Sequence, residues 1–179
     1  MNLKINGFLN IPFGENQQRV IEMMREKGGN LSLENCNHNT LIFDNIQFAG
    51  HPTTLIAINF LKEEFCRAMV FIKANLESKT IDLYKQIKEG INEKYYQTKN
   101  DFENYEYPFE KYDGHTETAI TLGKAIFSAY WNFKNDESKE DDYISVKIDE
   151  NFHIIISYEN GQLMKVLVDS QKQENHKDY

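Results

Sequence analysis

The sequence predicts an α+β protein in which helices pack on one face of an antiparallel β-sheet. Segments with helical spacing of apolar residues are followed by runs in which every second residue is apolar. This order of signals occurs twice, which predicts two topologically similar αβββ units at about 1–77 and 78–168, together forming one compact domain. The polar segment 169–179 is expected to be a flexible tail.

The first unit opens with a helix predicted at 16–27. Asn16 can cap its first turn, and Val20, Ile21 and Met24 fall on one face. The two glycines at 28–29 follow the helix, and glycine readily adopts the positive φ that closes a helix. The first helix therefore has both a start signal and a stop signal.

Strands are expected after this helix. The segments 41–43 and 46–50 are short and apolar, with a turn between them. Apolar residues alternate through 53–60 and again through 65–73, on either side of the polar turn 62–64. The alternation predicts an antiparallel hairpin, and both of its faces are apolar enough for one to be covered by a helix.

The second unit opens with a helix that begins at Ser78 or Thr80, where a hydroxyl can act as a cap. Its apolar residues recur at helical spacing as far as Tyr95. Gly90 weakens this helix by roughly 1 kcal/mol relative to alanine, which the apolar stripe is expected to outweigh.

The rest of the second unit is predicted as strands. They are expected at 119–122, 125–133, 143–148 and 152–158, after which a turn leads into a final apolar piece at 163–168. An acidic run at 136–142 joins two of them. It lacks the glycine and the regular alternation of a calcium loop, so it is interpreted as a solvated turn.

A long segment without clear periodicity, 97–114, separates the second helix from these strands. It carries aromatic residues among acidic ones: Phe102, Tyr105, Tyr107, Phe109 and Tyr112. Aromatic residues are enriched at the centres of interfaces, which favours a recognition surface. The same side chains can instead cover the sheet and seal the core, so both interpretations stay open.

The charge balance restricts the possible partners. The chain of 179 residues has 28 acidic and 20 basic residues, a formal net charge of −8. This charge opposes binding to nucleic acid or to an anionic membrane surface. The sequence has no apolar stretch long enough for membrane insertion and no secretion signal at its start, which predicts a cytoplasmic protein. If a signal peptide has been removed, the expected compartment is the cell envelope or periplasm.

The sequence contains no catalytic, cofactor or metal-binding motif, and we expect no catalytic residues, cofactor or metal. The five histidines are scattered, without a spacing that binds metal. Glycines 28–29 follow a helix, whereas a phosphate loop precedes one. Cys36 and Cys66 lack the surroundings of a nucleophile, and the sequence leaves open whether they pair.

Several short motifs in the sequence are similar to those of a known group of proteins. The string 11–14 (Ile-Pro-Phe-Gly) leads into the first helix and glycines 28–29, and 48–50 (Phe-Ala-Gly) precedes a hairpin. Later, 123–125 (Gly-Lys-Ala) begins the strand that contains Trp131. In these features, and in the strand at 154–158, the chain resembles small bacterial proteins similar to the β-lactamase-inhibitor protein.

That resemblance implies tandem units of helix plus antiparallel sheet, with a binding or inhibitory role in some members. It provides no site residues to carry over. This chain departs from the pattern because it lacks a secretion signal and a clear disulfide pair.

We therefore expect a non-enzymatic protein-binding module. Inhibition of the partner is one form that this role could take. Its contact surface would be the concave face of the sheet or the aromatic segment 102–112, and its partner is an unidentified protein. The alternative is a small-ligand carrier or an enzyme whose site is built from dispersed residues such as Tyr107, His115, His153 and Trp131. A third class is a structural protein without a dedicated ligand. The sequence makes no prediction about the oligomeric state.

Overall fold

The computed structural model describes residues 3–135 and 138–176, with side chains in the last helix described through Ser170 and at Lys172. The helices are α1 (Gln17–Glu26), α2 (Thr80–Lys94), α3 (Thr116–Thr121) and α4 (Gly161–His176), with 3₁₀ turns at Leu33–Asn35 and Glu77–Lys79. The strands are β1 (Gly7–Phe8), β2 (Ile11–Pro12), β3 (Asn30–Leu31), β4 (Thr40–Asp44), β5 (Gln47–Phe48), β6 (His51–Pro52), β7 (Leu55–Leu61), β8 (Glu64–Lys73), β9 (Asn100–Tyr105), β10 (Ala125–Phe133), β11 (Asp142–Ile148) and β12 (His153–Glu159).

Eight strands form one antiparallel sheet in the order β3-β4-β7-β8-β12-β11-β10-β9. Two further hairpins, β1-β2 and β5-β6, lie outside it. This large sheet, together with the helices, confirms the predicted α+β class. The first half of the chain supplies β3, β4, β7 and β8, and the second half supplies the rest, so the halves meet where β8 pairs with β12. The topological similarity of the two units stays a prediction.

Strand alternation divides the sheet into two different faces. On the inner face, Ile56, Val70, Ile156, Val146 and Ala129 follow one another across neighbouring strands, and all of them are buried. They belong to one core cluster with the apolar residues of α1 and α2. Both helices therefore cover the same face, and this shared burial is the main source of the fold's stability.

The outer face is the other alternating set, which does not join this core cluster. The matching row across the sheet is Ala57, Met69, Ser157, Ser145 and Tyr130. Three of these five positions are occupied by serine or by the exposed Tyr130, where the inner face has aliphatic residues. The two-residue period of the strands thus separates a core side from a more polar side.

Helix α1 has the capping signals predicted for it. The backbone N–H of Arg19 donates to Asn16 Oδ1 at 3.0 Å, which satisfies one of the unpaired donors of the first turn. At the other end the N–H of Gly29 donates to the Met24 carbonyl at 3.0 Å, and Gly28 has a φ of +87°. The prediction of a helix at about 16–27 is confirmed.

Two strand predictions were wrong. Residues 119–122 were expected to form a strand, but α3 covers most of them; six residues are too few for a helical period to be visible in the sequence. The apolar piece 163–168 lies in α4 rather than in a strand. Asn160 accepts a hydrogen bond from the Leu163 N–H at 3.0 Å and so caps α4, although asparagine before glycine also suits a turn.

Helix α4 contacts β7, β8 and β11 and continues through His176. Residues 169–176 of the predicted flexible tail are therefore helical, and 177–179 lie outside the described residues. Part of the acidic run, 136–137, lies outside them as well. No helix in the described part of the chain has the length and apolar character needed to cross a membrane.

Candidate functional site

The aromatic segment 97–114 is not simply a loop. Residues Asn100–Tyr105 form β9, which pairs with β10. Because β9 is the last strand in the sheet order, one of its two edges has no neighbouring strand among the residues that the structure describes. Its two aromatic residues, Phe102 and Tyr105, are three positions apart, and five of its six residues are exposed, so the sequence lacked the apolar alternation that marks an inner strand.

The five predicted contact residues divide into two groups. Tyr105 and Phe109 point inwards: the ring of Tyr105 packs edge-on against Phe127 at 6.0 Å, and Phe109 packs against the core cluster. Phe102 is 44% exposed, and Tyr107 and Tyr112 are each 89% exposed. Both sequence-based interpretations therefore describe part of the segment, because two residues seal the core and three face solvent.

Phe102 belongs to an exposed apolar surface on the outer face of the sheet. It lies opposite Ser128 on β10, between the exposed side chains of Ile126 and Tyr130 on that strand. The rings of Phe102 and Tyr130 meet at 6.1 Å with an interplanar angle of 66°. We call these three residues, Phe102, Ile126 and Tyr130, the β9 surface. An exposed apolar cluster of this kind marks an interaction site more often than isolated exposed residues do.

Acidic side chains lie close to the β9 surface, on the opposite face of β9 and in the turn that follows the strand. Between residues 100 and 115 the chain carries five carboxylates and one lysine. Two of the carboxylates pair with lysines, Asp101 with Lys88 at 2.5 Å and Glu103 with Lys111 at 2.9 Å. The backbone N–H groups of residues 110 and 115 donate to Asp113 and hold its pKa below the ordinary value. The region stays strongly acidic after these pairs are counted.

A concave feature lies on the helical side of the molecule. A cleft of about 880 Å³ separates α2 from the hairpins β1-β2 and β5-β6. Its floor is aromatic: the ring of Phe8 lies 5.8 Å from Phe48 and 5.3 Å from Tyr158, and Phe48 lies 6.2 Å from Tyr158. This volume is in the range of small-molecule sites, which are mostly apolar with a few polar groups.

The hairpin β1-β2 that forms one wall depends on a glycine. A Cβ atom at Gly7 would lie only 1.9 Å from the carbonyl oxygen of Ile11, so a larger residue cannot occupy this position without moving the backbone. The tight hairpin allows Phe8 and Ile11 to reach the core, where both are fully buried. The wall is therefore part of the packed structure.

Polar groups of the cleft lie at its floor and rim. The Tyr158 hydroxyl is buried near Tyr95, and burial holds the pKa of Tyr158 far above its ordinary value, so this hydroxyl is neutral at physiological pH. The charged side chains that line the cleft are Lys4, Lys27, Lys94, Glu89 and Glu93.

The four dispersed residues of the alternative hypothesis do not line this cleft. Trp131 is buried, and its indole N–H donates to Asn92 Oδ1 at 3.1 Å and to the Tyr96 carbonyl at 3.0 Å. His153, the first residue of β12, has its Nδ1 3.3 Å from Oδ2 of Asp149 in the preceding turn. Tyr107 and His115 lie in the exposed turn that follows β9. Trp131 therefore has a structural role that uses its only polar group.

The cysteines and acidic residues show no further grouping. Cys36 and Cys66 are both free. Burial raises the pKa of the Cys66 thiol to about 11, which makes it a poor nucleophile at neutral pH. Within residues 3–135 and 138–176, no group of three or more histidine, cysteine or acidic side chains is arranged to hold a metal ion.

Sequence reasoning missed the cleft because its floor combines residues from distant segments. Phe8, Phe48 and Tyr158 belong to three different strands, and each fits the ordinary pattern of a core residue. Gly90 was the one local signal, since it interrupts the amphipathic helix α2 at the wall of the cleft.

Comparison with models of known protein families, with curated proteins and with solved structures finds no match for this chain. The resemblance to proteins similar to the β-lactamase-inhibitor protein therefore stays a prediction.

Proposed function

We propose that this chain is a non-enzymatic protein-binding module that pairs the free edge of β9 with an extended, basic segment of a partner protein. The observation that carries the proposal is the combination, in one place, of an unpaired strand edge, an exposed aromatic surface and a strong excess of acidic residues.

The strand edge provides the first part of the binding. An edge strand presents backbone N–H and C=O groups that can accept one more strand. The opposite edge of the sheet is β3, which has only two residues and offers little length for pairing. β9 has six residues, so the β9 edge is the one long enough to hold an added segment.

The β9 surface provides the second part. A segment added along β9 would place every second side chain on the outer face of the sheet, beside Phe102. Aromatic and branched side chains of the partner could then cover Phe102, Ile126 and Tyr130. Aromatic residues bind with large contact area and little loss of side-chain entropy, so this contact would supply much of the affinity.

The charge provides selectivity. Two copies of β9 brought edge to edge would place Asp101 and Glu103 of each copy near the same residues of the other, which opposes self-association. A segment rich in lysine and arginine is instead attracted to these carboxylates, over a distance set by the salt concentration. The acidic residues therefore act against the wrong partner and in favour of a basic one.

The test is selection from a display library of random short peptides on the immobilised wild-type protein. We expect the selected peptides to alternate apolar and basic residues, and to bind more weakly as salt increases. The double variant Phe102→Ser, Tyr130→Ser should lower their affinity at least tenfold. These two residues are preferred over Tyr105 and Phe109, because the latter pack inwards and their loss would disturb the fold.

The control is Leu33→Ser, which removes an exposed apolar side chain near the opposite edge of the sheet. It should leave peptide binding unchanged. Peptides without a basic bias, or an equal loss of binding in the control, would refute the proposal.

A further inference from the structure

We infer that the cleft between α2 and the hairpins β1-β2 and β5-β6 is a binding site for an uncharged, largely apolar small molecule. This site is separate from the β9 surface, so the inference does not depend on the proposed function.

Helix α2 supplies the main reason, because it has a glycine where the cleft needs room. Gly90 lies within α2, lines the cleft and does not have a positive φ, so the backbone does not require glycine there. A Cβ atom at this position would meet no atom of the described residues within 4 Å, so packing does not require glycine either.

Glycine inside a helix is nevertheless unfavourable by roughly 1 kcal/mol relative to alanine. A glycine that neither conformation nor packing explains is typical of a place where another molecule approaches the backbone closely. The open space next to Gly90 is space in the cleft, so the molecule that approaches would be a ligand in the cleft.

The shape of the cleft favours a small molecule. Its volume of about 880 Å³ falls in the range of known ligand sites, roughly 300–1,000 Å³. At the floor, the edges of Phe48 and Tyr158 offer an apolar surface to a ligand, and the buried ring of Phe8 packs against both of them. The Tyr158 hydroxyl offers one polar contact at the bottom of the cleft.

Electrostatics indicates that the ligand is uncharged. Lys27 and Lys94 balance Glu89 and Glu93 along the cleft, and Lys94 also lies 5.0 Å above the ring of Tyr95. Lys4 adds one positive charge at the cleft, but the whole chain has a net charge of −8, which repels anions. A cation would be repelled by the three lysines that line the cleft. A neutral molecule meets none of these penalties.

The experiment uses two fluorescent probes of similar size and different charge, the neutral N-phenylnaphthylamine and the anionic anilinonaphthalene sulfonate. Both become brighter in an apolar site. We expect wild type to bind the neutral probe with a stoichiometry of one and at least tenfold more tightly than the anionic probe. Equal or tighter binding of the anionic probe, or no binding of either, would overturn the inference.

Variants at Gly90 locate the probe. Gly90→Trp should fill the cleft and lower the affinity for the neutral probe at least tenfold, whereas Gly90→Ala should change it less than threefold. Gly90→Leu serves as a second blocking variant if the tryptophan variant does not fold. Glu22→Trp places the same new ring on the exposed face of α1, outside the cleft, and should bind as wild type does.

Two results would place the probe or the natural occupant elsewhere. Unchanged binding by both folded blocking variants would show that the probe does not occupy the cleft. If wild type is a dimer that takes up no probe, and Gly90→Trp is a monomer, then a second copy of the chain occupies the cleft and the small-molecule assignment is wrong. Measurement of mass in solution by light scattering distinguishes these cases.

Discussion

Helix α2 contributes to two regions of different character. One face of the helix lies beside β9, where Tyr84 packs on Phe127 at 6.1 Å and Lys88 pairs with Asp101. Another face lines the cleft with Ile87, Gly90 and Ile91. The β9 region is flat, exposed and acidic, whereas the cleft is concave, aromatic and nearly balanced in charge.

This difference has a physical consequence for recognition. A flat strand edge can bind a partner chain through backbone groups, and its side chains contribute little to the stability of the fold. The cleft floor is built from core residues, so the shape that would hold a ligand is also the packing that holds the fold together. Substitutions should therefore separate binding from stability at β9 but not at the cleft floor.

The largest expected effect is the loss of stability caused by Phe8→Ala. Phe8 is 1% exposed and contacts two other rings, so its removal leaves a cavity and should lower the free energy of unfolding by about 3–5 kcal/mol. Phe102→Ala, the matched change at β9, should cost less than about 1 kcal/mol, because that ring is half exposed. Urea denaturation measures both, and similar losses would contradict the separation of the two regions.

Replacing a buried tyrosine in each region by phenylalanine should change the free energy of unfolding by a smaller amount, with opposite sign in the two regions. The Tyr84 hydroxyl, beside β9, has no hydrogen-bond partner among the described residues, whereas the Tyr158 hydroxyl interacts with Tyr95. Tyr84→Phe removes an unsatisfied buried group and should stabilise the fold by about 1 kcal/mol. Tyr158→Phe removes the hydroxyl that interacts with Tyr95 and should destabilise the fold by about 1 kcal/mol. A loss of stability in Tyr84→Phe would show that its hydroxyl is hydrogen-bonded in solution.

The same two tyrosines predict a response to alkaline pH. Burial raises the pKa of both hydroxyls above the ordinary value of 10.0. The folded state therefore keeps protons that the unfolded state releases, and the free energy of unfolding should fall as pH rises above 10. Each tyrosine contributes a slope of up to about 1.4 kcal/mol per pH unit. Denaturation as a function of pH should show a shallower decline in each phenylalanine variant, and an unchanged slope would contradict the burial of that hydroxyl.

Gly90→Ala should stabilise the protein by about 1 kcal/mol, because alanine removes the unfavourable glycine from α2 without meeting a neighbouring atom. Thermal denaturation without ligand measures this gain. The control is Gly7→Ala, in which the same substitution forces a Cβ to within 1.9 Å of a carbonyl oxygen and should be strongly destabilising. A destabilised Gly90→Ala would show that the room beside α2 is needed for packing and not for a ligand.

Much of the fold could be predicted because its signals are local. The Asn16 cap, the glycines at 28–29 and the alternation in β7 and β8 each specify structure within a few residues. The wrong predictions occurred where a local signal is ambiguous. Asn160 caps α4 with the same side chain that would suit a hairpin turn, and α3 is too short to show its period.

The candidate sites could be predicted only in part. Clustering of aromatic and acidic residues in one segment marked the β9 region, but the free edge depends on the order of all the strands in the sheet. The outward position of Phe102 depends on its register with β10. The cleft floor combines Phe8, Phe48 and Tyr158 across most of the chain, and no local pattern brings such residues together.

The smallest expected effect is the coupling between Lys88 and Asp101, the ion pair that joins α2 to β9. Their atoms lie 2.5 Å apart, and the Lys88 side chain is largely shielded from solvent, so a double-mutant cycle with Lys88→Met and Asp101→Asn should give about 0.5–1 kcal/mol. The pair Lys79–Asp82, which is mostly exposed, should give less. Because the β9 pair uses an acidic residue of the proposed binding edge, Lys88→Met should also leave Asp101 free and increase the affinity for a basic peptide. Weaker peptide binding in Lys88→Met would instead mean that the pair holds the β9 edge in its binding position.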